Sequence, residues 1–135
     1  MALQYSTGHR NAAMDDITSK IGTSGVLKIW TGSPPATCAT ADSGVLLATL
    51  TCNATAFAAA ASSGTITANS ITSATAGNTG VAGYFRIYPS AATSTNAVLQ
   101  GLCGTSGSDL NLSSTSIGSG QTVSISSFQI TAFGA

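Results

Sequence analysis

The nine residues Gly80–Tyr88, GVAGYFRIY, constrain this chain more than any other stretch. They are rich in β-branched and aromatic side chains, carry one charge at Arg86, and lie between turn residues, Gly77-Asn78 before and Pro89-Ser90 after. That is the pattern of a strand inside a sheet. Read with a period of two, Val81, Gly83, Phe85 and Ile87 share one face and Ala82, Tyr84, Arg86 and Tyr88 the other. The first is a core face. The second sets two tyrosines around a guanidinium, a surface that suits a second layer, a subunit contact or an ordered loop better than open solvent.

The rest of the chain reads as further strands around this one. VLKIWT, Val26–Thr31, alternates Leu27 and Ile29 against Lys28 and Trp30, and Gly32-Ser33-Pro34-Pro35 ends it. Trp30, the single tryptophan, is open to a core or an interface role, and its charged strand-mate Lys28 favours the interface. VLLATLTC, Val45–Cys52, is apolar almost throughout, as a strand covered on both sides would be. From Asn53 to Asn78 the chain is mostly Ala, Ser, Thr and Gly, with weak register information; short strands are expected near 55–58, 64–68 and 71–75. AVLQGLC, Ala97–Cys103, supplies an antiparallel partner for the central strand, and Asp109–Leu112 a short strand, with Asp109 as an Asx-turn former. In Thr122–Phe133 the apolar phase shifts at Ser126-Ser127, which predicts a β-bulge that bends the strand from one sheet towards another.

One helix is expected near the N-terminus. Asn11 is placed to cap it, Asp15 and Asp16 to face the positive end of its dipole, and Gly22 to stop it after about ten residues. Met14, Ile17 and Ile21 form its apolar face, so it must dock on the sheets or on a neighbour. Residues 1–10 read as an arm and 11–135 as one domain: an all-β antiparallel sandwich with a short N-terminal helix.

Composition decides the class of function. Charged residues make up 6% of the chain, four basic and four acidic, against roughly 25% in an average soluble protein. Little charge repulsion keeps copies apart, so association is the natural consequence. Arg10, Lys20, Lys28 and Arg86 are scattered and make no basic patch, which argues against nucleic acid. His9 is the only histidine, glutamate is absent, and Asp15 and Asp16 diverge on their helix, so acid–base, nucleophilic and metal-assisted catalysis lack their groups. No enzyme, cofactor or metal is expected. Cys38, Cys52 and Cys103 have no CxxC spacing and read as small buried hydrophobes of a chain made in a reducing cytoplasm. No secretory signal or membrane-length apolar run is present in these residues. Gly101, Gly104 and Gly107 lack the Lys-Ser/Thr ending of a phosphate loop and read as turn glycines.

The succession of an N-terminal helix, LKIWTGSPP, SGVLLATLTC, GYFRIYPS, LQGLCGTSGSDLNL and SGQTVSISSFQIT resembles small structural proteins of tailed-bacteriophage virions. Among these, the resemblance points to capsid cement, or decoration, proteins. It implies a jelly-roll sandwich, a homo-oligomer that is a trimer, the major capsid protein as partner, and a place on the outside of the capsid. Under it, Tyr5, Trp30, Tyr84, Arg86 and Tyr88 are expected contact residues, with Arg86 buried between chains or under a loop and requiring an aspartate or carbonyl partner. A host- or glycan-binding module and a tail or head–tail connector subunit are the rival readings.

Overall fold

The computed structural model describes residues 3–60 and 64–133. Helix α1 spans Thr7–Ile21, 15 residues, so Thr7–Arg10 of the expected arm are its first turn. Ser6 is the N-cap: its backbone is extended and its hydroxyl accepts from the His9 N–H at 3.2 Å. Asn11 and Asp15 do not serve the helix start. Asn11 accepts from the Gly64 N–H and Asp15 from the Ala60 N–H, both at 2.8 Å, so these two side chains fasten the helix to the loop beside it. Gly22 does end the helix, at φ +70°, with its N–H on the Thr18 carbonyl. Ile21 is buried, and Met14 and Ile17 pack against the core, as their spacing predicts.

The strands are β1 (Val26–Thr31), β2 (Leu46–Thr51), β3 (Thr65–Thr67), β4 (Ala74–Thr75), β5 (Gly80–Tyr88), β6 (Leu99–Gly104), β7 (Leu110–Leu112), β8 (Ser116–Ile117), β9 (Thr122–Val123) and β10 (Ile125–Thr131). The chain is mostly β, and its main sheet is curled. Neighbours run in the order β2-β1-β5-β6-β7-β10-β3, with β8 on β5, while β4 and β9 pair separately. Two facing antiparallel sheets were expected. One step of the main sheet is parallel and not antiparallel, β6 beside β7 across the connection at 105–109.

β5 holds the interior of this sheet, with β1 on one side and β6 on the other. Its faces are not in one phase throughout. Trp30 pairs with Tyr84 and Thr31 with Ala82, leaving Gly83 as a bulge. A Cβ at Gly83 would lie 1.9 Å from the Gly32 carbonyl oxygen, so only glycine permits the approach. The bulge turns Ala82 into the core and Val81 out, 63% exposed, where simple alternation placed Val81 inside. The shift expected in the last strand does occur, between Ile125 and Ser127, but the chain leaves the β4–β9 ladder before it, between Val123 and Ile125, so the bulge lies within the main sheet and does not carry the strand from one sheet to another.

The Ala/Ser/Thr segment, expected to form three strands, forms among its described residues β3, β4 and two isolated bridges, Phe57 to Ala68 and Thr72 to Thr51. Its backbone covers both edges of the curled sheet. Thr72 and Gly77 donate to the Thr51 and Leu47 carbonyls of β2, and Ala58 donates to the Thr67 carbonyl of β3. Neither edge presents a long open row of backbone groups. Beneath, Phe128 meets Phe57 and Phe85 edge-on at 5.3 and 5.1 Å, joining α1's side of the core to Leu27, Ile29, Ile66 and Ile87.

Two glycines separate close approach from mere flexibility. Gly83→Ala should lower stability by about 1–3 kcal/mol through overpacking against Gly32. Gly8→Ala, with nothing within 4 Å of the added carbon and a place in the first turn of α1, should leave stability unchanged or raise it slightly. Urea unfolding midpoints of both variants check the contrast; equal effects would contradict it.

Candidate functional site

The strongest concentration of polar chemistry lies on the face of the sheet away from the core. Register places Lys28, Arg86 and Gln100 in one row across β1, β5 and β6, and Trp30, Tyr84 and Leu102 in the next. A strap of irregular chain, residues 32–45, connects β1 to β2 and crosses over these rows. Pro34 and Pro35 keep its start out of any ladder.

Arg86 is fully enclosed, 0% exposed. Its Nη1 donates to the Thr40 carbonyl and Asp42 Oδ1, each at 2.8 Å, and faces the Ser94 carbonyl at 3.2 Å. Nη2 donates to the Thr37 carbonyl and to Gln100 Oε1, both at 2.8 Å, and Nε donates to the same Gln100 oxygen at 3.0 Å. Gln100 is held in turn by its Nε2–H on the Pro35 carbonyl at 2.8 Å. The planar fork of five N–H groups is what makes such a cage satisfiable; an ammonium has neither the number nor the spread of donors.

Both tyrosines are part of the same arrangement. Tyr88 donates a short hydrogen bond to Asp42 Oδ1, and Tyr84 donates to the Ser43 carbonyl while accepting from the Ser43 N–H at 3.1 Å. Burial first, then the hydrogen bond and charge of Asp42, hold the Tyr88 hydroxyl well above the ordinary tyrosine range, against the opposing pull of Arg86. Lys28 Nζ stands 5.3 Å from the Tyr88 ring centroid, and Trp30 stacks parallel to Tyr84 at 6.3 Å. The Trp30 indole N–H is buried without a hydrogen-bond partner in this structure.

Four of the five expected contact residues therefore come together: Trp30, Tyr84, Arg86 and Tyr88. Tyr84, Arg86 and Tyr88 are enclosed within their own chain. Of the settings that the sequence left open for Arg86, the ordered loop with aspartate and carbonyl partners is the one the structure has. Trp30 is half-buried. Tyr5 stands elsewhere, 46% exposed just before α1, with its ring 4.9 Å from that of His9.

Asp42, Gln100 and the strap carbonyls were not identified from sequence. A signal for Asp42 existed: a buried arginine needs a carboxylate, and Asp15 and Asp16 belonged to the helix, leaving Asp42 and Asp109. Asp109 instead accepts from the Leu102 N–H at 2.9 Å, reaching across the turn between β6 and β7 where a local Asx-turn was expected.

All three thiols are free, and Cys52 and Cys103 are poorly suited to nucleophilic work. Burial pushes Cys52 up to about 11, and burial with the neighbouring Asp109 charge pushes Cys103 up to about 12. Among the described residues, no three His, Cys, Asp or Glu side chains gather as a metal cluster.

Arg86→Ala should cost about 3–5 kcal/mol because Asp42 and the carbonyls are left buried without their cation, and Arg86→Lys should recover only a small part of it. Urea midpoints measure both; a lysine variant as stable as the parent would show that the fork geometry is irrelevant.

The pH dependence has a definite sign. Cys52, Cys103 and Tyr88 all bind their protons more tightly when folded, so their contribution to stability is complete below the unfolded thiol value of 9.0. It is lost as pH rises through the folded values. Unfolding midpoints should hold level from neutral pH to about 8.5 and then fall, with a shallower fall in Cys52→Ala; a level alkaline limb would contradict these shifts. No protein-family model, curated protein or solved structure matches the chain.

Proposed function

We propose that this chain is a structural subunit of a tailed-bacteriophage virion, a capsid cement protein that adheres as a trimer to the major capsid protein on the outside of the shell. The jelly-roll sandwich belongs to the same proposal, as the finer description of the curled, mostly β fold. The work of such a protein is mechanical. Each oligomer spans several shell subunits, so that separating them breaks several weak contacts together.

The observation that carries this reading is one corner where exposed apolar side chains gather, although Val45, Val81 and Leu102 are exposed as well. Leu3, Tyr5 and Phe133 are 76%, 46% and 90% exposed, on the approach to α1 and just beyond β10. Tyr5 and Phe133 line one groove with Ala13 and Met14. Arg10 fixes that corner, donating to the Ala132 carbonyl at 2.9 Å and the Phe133 carbonyl at 3.3 Å, so the two ends of the described chain form one surface. Arg86 and its tyrosines, by contrast, are enclosed within the body. A body with a sparse-charge, apolar corner suits adhesion by burial and shape.

The double variant Tyr5→Ser, Phe133→Ser should fold with an unchanged unfolding midpoint and lose at least about tenfold in self-association and in binding to empty capsids. Sedimentation equilibrium and co-sedimentation with capsids read the two losses. Retained binding at 0.5 M salt, within about threefold of that at 0.1 M, is expected of contacts that are not ionic. A parent chain that stays monomeric at high concentration and leaves capsids bare would overturn the proposal.

A further inference from the structure

The strap at 32–45 has little structure of its own. Inside it the backbone makes a turn, Thr40 N–H to the Thr37 carbonyl at 3.1 Å, with the two threonine hydroxyls 2.9 Å apart. Everything else that shapes its middle comes from outside: the Thr37 and Thr40 carbonyls turn inward to the guanidinium, Asp42 to Arg86 and Tyr88, and the Pro35 carbonyl to Gln100. Five oxygens, from Thr37, Thr40, Asp42, Ser94 and Gln100, converge in this way on one planar cation. One of them is a carboxylate, and the others are neutral acceptors that face inward only if a donor stands at the centre.

We infer that this cage is a binding site for an alkylguanidinium, with Arg86 as its covalently tethered occupant and the strap as a loop templated by that cation. Two features favour a planar cation over any other. All three guanidinium nitrogens are engaged, Nε and Nη2 sharing one Gln100 oxygen along one side of the fork while Nη1 takes the opposite side. The Tyr84 and Tyr88 hydroxyls hold Ser43 and Asp42, so part of the cage is positioned by β5 even when the cation is removed. The tether supplies a high effective concentration, and a free ligand must replace it by mass action.

The test is chemical rescue of Arg86→Ala in the full-length chain. Hydrogen exchange of strap peptides should be at least tenfold faster than in the parent, and methylguanidinium chloride should slow it in a saturable way in the millimolar range. Methylammonium chloride at the same ionic strength should not. Asp42→Asn added to Arg86→Ala should raise the methylguanidinium concentration needed for half-rescue at least tenfold. If Arg86→Ala does not fold alone, the readout is refolding yield with about 20 mM of either salt; recovery with methylguanidinium only supports the site. Unchanged strap exchange, rescue without saturation, equal rescue by both cations, or recovery with neither would overturn it.

Discussion

A guanidinium with no exposed surface must find oxygen on every side, and that requirement organises one whole face of this protein. Arg86 draws two strap carbonyls, a third carbonyl from the loop before β6, an aspartate and a glutamine to itself. The arrangement is not an inexpensive source of stability, since desolvation offsets most of the attraction in a buried ion pair. Its effect is specificity of shape: a strap with two prolines and mostly small side chains is given one course over the sheet.

The opposite face of β5 depends on a different constraint, the filling of a curled sheet. Phe85 and Ile87 face inward, Phe128 joins them from β10, and Phe57 closes the cluster from the Ala/Ser/Thr segment. The bulge at Gly83 lets one strand serve both faces, because it brings the β1–β2 connection within backbone contact and resets which side chains point inward. The same small-residue segment then covers the outer edges of β2 and β3. Edges handled in this way resist indiscriminate strand addition.

These two halves bear on function together. The few charged groups are largely engaged inside or at helix and loop contacts: Arg86 with Asp42, Arg10 with the end of the described chain, and Asp15 with the Ala60 N–H. What faces outward is hydroxyl, amide and a small set of apolar side chains, with Tyr5 and Phe133 sharing a groove. Under the proposed function, such a division serves adhesion by fit.

Much of the fold was legible in the residues because local patterns carried it. The bounds of β1 and β5, the stop at Gly22, the partner strand β6 and the irregularity near Ser126 follow from alternation, turn residues and phase. The start of α1 did not, because Ser6 and Asn11 are equally good caps and only the contact of Asn11 with Gly64 decides between them. Nor did the phase of Val81 and Ala82, which a bulge resets through contact with Gly32, nor the parallel step from β6 to β7. For the site, the alternation determined that Arg86 would share a face with Tyr84 and Tyr88, one that suits a second layer, a subunit contact or an ordered loop. Only the tertiary structure decided among these and chose the oxygens, because a cage assembled from backbone oxygens 8 to 49 positions away in the chain leaves no mark on the side chains that a sequence records.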